Sequence, residues 1–165
     1  MDKPSKNLRG SASQYFVAGE LCRRNLIATI TLGNCPNTDI LCSNLESDKL
    51  AHLQVKTFCP RPNGGGSCSV GQKAEVDRGE NFFWILVGLP ETPGEPVEEF
   101  YVIPSPVMAK NITEVHRNWL NTPGKQGQKH KDNPVRNVYI PPNKNPNGWV
   151  IEEYRNRWDL IEKVL

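Results

Sequence analysis

Two short segments set the architecture of this chain: DIL at positions 39–41 and LQVKT at positions 53–57. The first is largely apolar and the second alternates apolar and polar residues, as strands do, and the polar residues between them allow the two strands to lie side by side. Side chains alternate along the second segment, so Gln54 and Lys56 share one face of a sheet and Val55 lies on the other. Two polar groups therefore project together, beside Asp39 at the start of the neighbouring strand.

These polar groups have the chemistry of a divalent cation site. Asp39 offers hard carboxylate oxygens, Gln54 offers its side-chain carbonyl, and Lys56 supplies positive charge to an attacking water or a phosphate. A half-exposed hairpin with a solvated polar face has the same spacing. The spacing alone leaves both interpretations open.

The residues ahead of the strands predict an amphipathic helix over positions 9–24, after a Gly-Ser start signal. At about 100° per residue, Gln14 falls on the same side as the apolar residues Val17 and Leu21, while Glu20 falls nearly opposite. We therefore expect Gln14 to face the sheet, where a polar side chain needs a partner.

This order of a helix with an inward polar residue, a strand, an Asp strand and a Gln-x-Lys strand resembles the PD-(D/E)XK nuclease superfamily, over residues 10–57. The resemblance implies that Asp39 is the metal-binding aspartate, and that Gln54 and Lys56 form the (D/E)-x-K element. It also implies that Gln14 occupies the helix position that often carries a glutamate. The expected ligands of Mg²⁺ or Mn²⁺ are Asp39, Gln54 and the Val55 carbonyl, and the two amides imply a weaker site than carboxylates would make.

The rest of the chain is also similar to small bacterial proteins with a nuclease-like core, through FFWILV at 82–87, EFYVIPS at 99–105 and NRWDL at 156–160. The apolar run from Phe82 predicts a strand buried on both faces, and a helix is expected from Pro106 to Leu120. We expect one α/β domain over residues 1–165, with a central mixed sheet of about five strands flanked by helices in the restriction-endonuclease-like manner. The first nine residues are expected to be flexible.

Charge and cysteine content narrow the functional classes. The net charge is only +2, from 20 basic and 18 acidic residues, so any nucleic-acid binding must come from a local patch. Five cysteines without a Cys-x-x-Cys pair predict free thiols, with a zinc site of His52, Cys59 and Cys68 as an alternative. The N-terminus has no apolar signal region and no run is long enough to cross a membrane, so we expect a cytoplasmic protein with no membrane partner.

One concentrated basic stretch lies at positions 121–136. A mobile basic loop suits phosphate backbones, although a solvated linker would have the same composition. The candidate nucleic-acid-binding residues are Lys125, Lys129, His130, Lys131 and Arg136.

The function expected from these observations is metal-dependent hydrolysis of phosphodiester bonds in nucleic acid, with DNA preferred over RNA as the substrate. The catalytic residues would be Asp39, Gln54, Lys56 and Gln14. The alternative is a catalytically weak or inactive module that keeps the nuclease fold and binds nucleic acid or another protein. A homodimer is compatible with either.

Overall fold

A computed structural model describes residues 5–32, 35–46, 48–92, 94, 95, 97 and 99–165. The strands are β1 (Ile27–Ile30), β2 (Ile40–Ser43), β3 (Ala51–Phe58), β4 (Ser67–Ser69), β5 (Phe82–Gly88), β6 (Glu99–Pro104) and β7 (Asn137–Tyr139). The α-helices are α1 (Lys6–Cys22), α2 (Ser105–Asn121) and α3 (Asp159–Glu162). Two 3₁₀ turns, at Gln72–Glu75 and Ile151–Tyr154, complete the regular structure.

Five strands form one mixed sheet in the order β1-β2-β3-β5-β6. The β3–β5 pair is parallel and the other pairs are antiparallel. Every residue of β5 is buried, because layers of structure cover both faces of the sheet. The predicted mixed sheet of about five strands and the doubly buried strand are confirmed.

The alternation of side chains along β3 divides the core into two layers. Leu53 and Val55 pack with Val17 and Leu21 of α1 in one layer, which α3 closes from the C-terminal end. On the other face, Phe58 and the even-numbered side chains of β5 pack against α2. The strands β4 and β7 form a separate two-stranded ribbon in this second layer. We call it the β4–β7 ribbon.

Helix α1 differs from its prediction in two respects. It begins at Lys6, where the Ser5 hydroxyl caps it by accepting from the backbone N–H of Leu8, so residues 5–9 form the cap and the first turn of the helix. Residues 1–4 of the segment predicted to be flexible lie outside the described residues. Ser13, rather than Gln14, is the fully buried polar residue of α1, because the helix presents positions 13, 17 and 21 to the sheet.

No helix in the described ranges is long and apolar enough to cross a bilayer.

The burial of Leu53 yields a stability prediction. Its side chain is 0% exposed between α1 and the sheet, so Leu53→Ala removes buried methyl groups and leaves a cavity. We expect a loss of about 2–5 kcal/mol in the free energy of unfolding, measured by urea denaturation. Leu45→Ala, at a position 67% exposed, is the matched control and should cost less than about 0.5 kcal/mol. Equal losses in the two variants would contradict this packing.

The cysteines divide into two classes, and thiol labelling can test the division. Burial raises the pKa of Cys42 to about 11 and that of Cys68 to about 12, so both thiols stay protonated and shielded. Cys22, Cys35 and Cys59 are exposed. At pH 8, a disulfide reagent should therefore label three thiols quickly and the remaining two only on unfolding. Fast labelling of all five would show that the core around Cys42 and Cys68 opens.

Candidate active site

The site begins where two neighbouring strands separate. Strand β2 starts at Ile40, opposite Leu53, so residues 54–58 of β3 run past it and pair only with β5. An N–H on the open side of β3 then needs a new acceptor, because an unpaired backbone donor away from water is costly. Asp39, directly before β2, supplies that acceptor.

The carboxylate of Asp39 joins the two strands through a single oxygen. Its Oδ2 accepts from the backbone N–H of Val55 at 2.7 Å and from the side-chain amide of Gln54. The backbone of Asp39 is fixed on both sides, because its N–H donates to Leu53 O at 2.9 Å and its carbonyl accepts from Thr31 N at 2.9 Å. The predicted neighbourhood of Asp39 and Gln54 is therefore a direct hydrogen-bonded contact.

Lys56 lies two residues beyond Gln54 on the same face of β3 and is partly buried. No hydrogen bond or ion pair of its ammonium group occurs among the residues that the structure describes. Its positive charge is close enough to Cys68 on β4 to oppose, weakly, the effect of burial on the pKa of that thiol. The site therefore combines a carboxylate that is hydrogen-bonded through one oxygen with a cation that pairs with no anion of the described residues.

Gln14 is not part of this hydrogen-bonded group. It is half-buried on α1, and within the described ranges its side chain makes no hydrogen bond to Asp39, Gln54 or Lys56. The helix position one residue earlier is the one tied to β3: Ser13 Oγ accepts from Thr57 Oγ1 at 2.8 Å. The sequence contains no signal that separates Ser13 from Gln14, since both lie near the inward face of the helix.

Glu20 cannot supply the missing acid. The helical projection placed it nearly opposite the inner face, but it is partly buried and bonded to two arginines. Its carboxylate pairs with Arg23 at 2.7 Å and with Arg24 at 2.6 Å. The guanidinium of Arg24 in turn lies 5.0 Å from the ring of Trp158. Glu20 therefore fastens α1 to the C-terminal segment.

The described part of the site offers few acidic ligands for a metal ion. Among the described residues, no group of three or more His, Cys, Asp or Glu side chains is placed to hold a metal, which also removes the zinc alternative of His52, Cys59 and Cys68. Asp39 Oδ1 accepts no hydrogen bond from a described residue, and a half-turn of the Gln54 amide would place its oxygen, in place of its N–H, beside Asp39 Oδ2. Such an all-oxygen set fits Mg²⁺ or Mn²⁺ only if waters and substrate oxygens complete the coordination.

The basic stretch 121–136 separates into exposed and structural residues. Lys125, Lys129 and Lys131 are exposed, as expected for phosphate contacts. His130 instead stacks on Trp119, with ring centroids 4.1 Å apart, and its Nδ1 lies 2.7 Å from the Trp119 carbonyl.

Arg136 does not lie where a nucleic-acid-binding residue was expected. Its side chain is 3% exposed and pairs with Glu75 at 2.5 Å and with Asp132 at 3.5 Å. It also donates to the carbonyls of Asn133 and Val135. With its donors used internally, the guanidinium is a packing element and is not available to a phosphate.

The comparisons with known proteins bear on the fold. No family model matches the chain, and no curated protein matches its sequence. Its structure is similar to a solved bacterial homing endonuclease, with a TM-score of 0.54 and 18% identity over 96% of this chain and 93% of that one. It also matches a Holliday junction resolvase from Archaeoglobus fulgidus, with a TM-score of 0.41 and 13% identity over 79% of this chain and 83% of that one.

Three features indicate the same fold: strands β2 and β3 separate, helices cover the sheet, and the structure is similar to that of the homing endonuclease. The chain is a single α/β domain with the restriction-endonuclease-like fold of the PD-(D/E)XK nucleases.

Proposed function

We propose that the chain is a metal-dependent nuclease of low catalytic power, acting on DNA in the cytoplasm. The observation that carries the proposal is that Asp39, held at the strand separation, bonds to Gln54 on the face of β3 that also carries Lys56. Among the described residues, the Lys56 ammonium group has no ion-pair partner. The similar solved structure is an endonuclease, which supports the reaction class.

In this proposal the binding group consists of Asp39, Gln54 and the Val55 carbonyl. The backbone N–H of Val55 and the side-chain amide of Gln54 both donate to Asp39 Oδ2, so the carboxylate is oriented before any ligand binds. The chemistry that Mg²⁺ or Mn²⁺ supplies when bound is Lewis-acid polarisation of the scissile phosphate. With one formal negative charge, these residues would hold the cation weakly and depend on the phosphate for further oxygen ligands.

Lys56 would act on the reacting groups directly. The Lys56 ammonium can donate to a phosphate oxygen and stabilise the negative charge that grows there as a water attacks. It can also orient that water. Gln14 lies on α1, across the sheet from Lys56, and has no role in this proposal. Lys125, Lys129 and Lys131 would hold the strand through its backbone phosphates, without reading its sequence.

The competing proposal is a module that binds nucleic acid or a partner protein without cutting. The observation that favours it is the neutral side chain at both positions where a second acid would be expected, Gln14 and Gln54. A single carboxylate lowers both the affinity for the cation and the charge available for catalysis.

A cleavage assay separates the two proposals. Supercoiled, linear, single-stranded and branched DNA, and RNA, are incubated with Mg²⁺ or Mn²⁺ and the native chain, Lys56→Ala or Asp39→Asn. The asparagine keeps an acceptor for the Val55 N–H but loses the charge. We expect metal-dependent cleavage of DNA, a fall of about 10²–10³-fold in kcat for Lys56→Ala, and no detectable cleavage for Asp39→Asn.

Two exposed positions provide matched controls for this assay. Lys73→Ala removes a lysine from the 3₁₀ turn, and Asp48→Asn removes a carboxylate from a loop. Both should cleave as the native chain does. Salt-sensitive binding without cleavage in every metal would support the module, and neither binding nor cleavage would exclude a nucleic-acid function.

Introducing a negative charge at position 54 should change how much a metal raises the melting temperature. In Gln54→Glu a second carboxylate would face Asp39 Oδ2, so repulsion should lower the melting temperature in the presence of a chelator. Mn²⁺ should then raise it more than in the native chain, because two carboxylates bind the cation more tightly. Gln72→Glu, at an exposed position, is the control and should respond as the native chain does. An unchanged response of Gln54→Glu would contradict the proposed cation position.

A further inference from the structure

The β4–β7 ribbon has one face built into the core and one face left to solvent. Cys68 and Val138 point inward and are 1% and 0% exposed. The alternate side chains point outward, with Ser67 opposite Tyr139 and Ser69 opposite Asn137. In the described part of the chain, these outward side chains make no hydrogen bond to the protein, so their donors and acceptors are available to a ligand.

The shape and chemistry of this outward face match the edge of a DNA duplex. The major groove is about 12 Å wide and admits a two-stranded β-ribbon. Serine and tyrosine hydroxyls both donate and accept, and the asparagine amide does so through separate atoms. Such side chains can pair with base edges, and asparagine in particular pairs with adenine through two hydrogen bonds.

Cations lie on both sides of the ribbon. On one side, β4 packs beside β3, and Lys56 projects from the face of β3 that carries Phe58, in the layer that contains the ribbon. On the other, a cavity of about 280 Å³ separates β7 from α2, and Trp119 lines it together with Asn137 and Tyr139. Trp119 carries the stacked His130 ring, and the exposed Lys129 and Lys131 flank that histidine. The nearby acid Asp132 is paired with His116 and Arg136.

The ribbon is also held rigidly. Val70 N donates to Arg136 O at 2.8 Å, and Tyr139 N donates to the Asn145 side chain at 2.9 Å. At its other end, Ile140 N donates to Gly66 O at 3.1 Å. A rigid element fixes the positions of its side chains and so discriminates between ligands better than a mobile loop does.

We propose that the outward face of the β4–β7 ribbon, formed by Ser67, Ser69, Asn137 and Tyr139, enters the major groove of duplex DNA and contacts base edges. Lys56 on one side and Lys129 with Lys131 on the other would then contact the backbone phosphates. This inference rests on the proposed function, because it names double-stranded DNA as the substrate and gives the site a sequence preference.

The test is selection of bound sequences from a randomised duplex library, in Ca²⁺ so that cleavage does not interfere. The native chain should enrich a short motif. Ser69→Ala combined with Asn137→Ala should reduce the preference for one or two base pairs of that motif by about tenfold, while non-specific affinity stays the same. Thr113→Ala, exposed on α2, is the control and should enrich the native motif.

A second pair of substitutions separates phosphate contacts from base contacts. Lys129→Ala with Lys131→Ala should weaken binding to all sequences alike and reduce the salt dependence of the binding constant by about two ions. A motif unchanged by the ribbon variant would overturn the ribbon's role while leaving the nuclease proposal standing. Binding to single strands alone would also overturn it, and no DNA binding in any form would overturn both proposals.

Discussion

The hydrogen bond from the Val55 N–H to the Asp39 carboxylate is the interaction on which this site depends. It exists because β2 and β3 separate after Leu53, which leaves the next open-side donor of β3 without a strand partner. A carboxylate at the end of β2 satisfies that donor and is at the same time fixed at the edge of the sheet. Because this N–H needs an acceptor, the fold favours an acid at position 39 whatever the chemistry of the site.

The charge balance follows from the same arrangement. Asp39 Oδ2 takes its hydrogen bonds from two neutral N–H groups, so the carboxylate does not need Lys56 as its partner. Had the two formed an ion pair, each would have neutralised the other. Alternation along β3 instead directs Lys56 toward the β4–β7 ribbon, where the described residues offer it no anion. The proposal of a functional site here, as opposed to a structural polar cluster, therefore depends more on Lys56 than on the carboxylate.

Local patterns predicted the parts of the structure that depend on neighbouring residues. The period of two in residues 53–57 correctly placed Gln54 and Lys56 on one face, and the apolar run at Phe82 correctly indicated a strand buried on both sides. The helical period erred by one position, choosing Gln14 over Ser13, because the polar partner of the helix is Thr57, 44 residues away. Arg136 was misjudged for the same reason, since Glu75 lies 61 residues earlier. Nothing local in SCSV at 67–70 or NVYI at 137–140 indicates that these two segments pair to form the ribbon.

The glutamine at position 54 affects how a cation would bind at the site. An acid there would leave two carboxylates in contact, and the apo protein would need a cation or a proton between them. The amide can donate to Asp39 when no cation is present and can turn its oxygen inward when one is bound. In the proposed nuclease the folded state would therefore not require the metal, and the site would bind it more weakly. A cation held by so few protein charges binds best when a phosphate contributes its own, so occupancy of the site would follow the arrival of DNA.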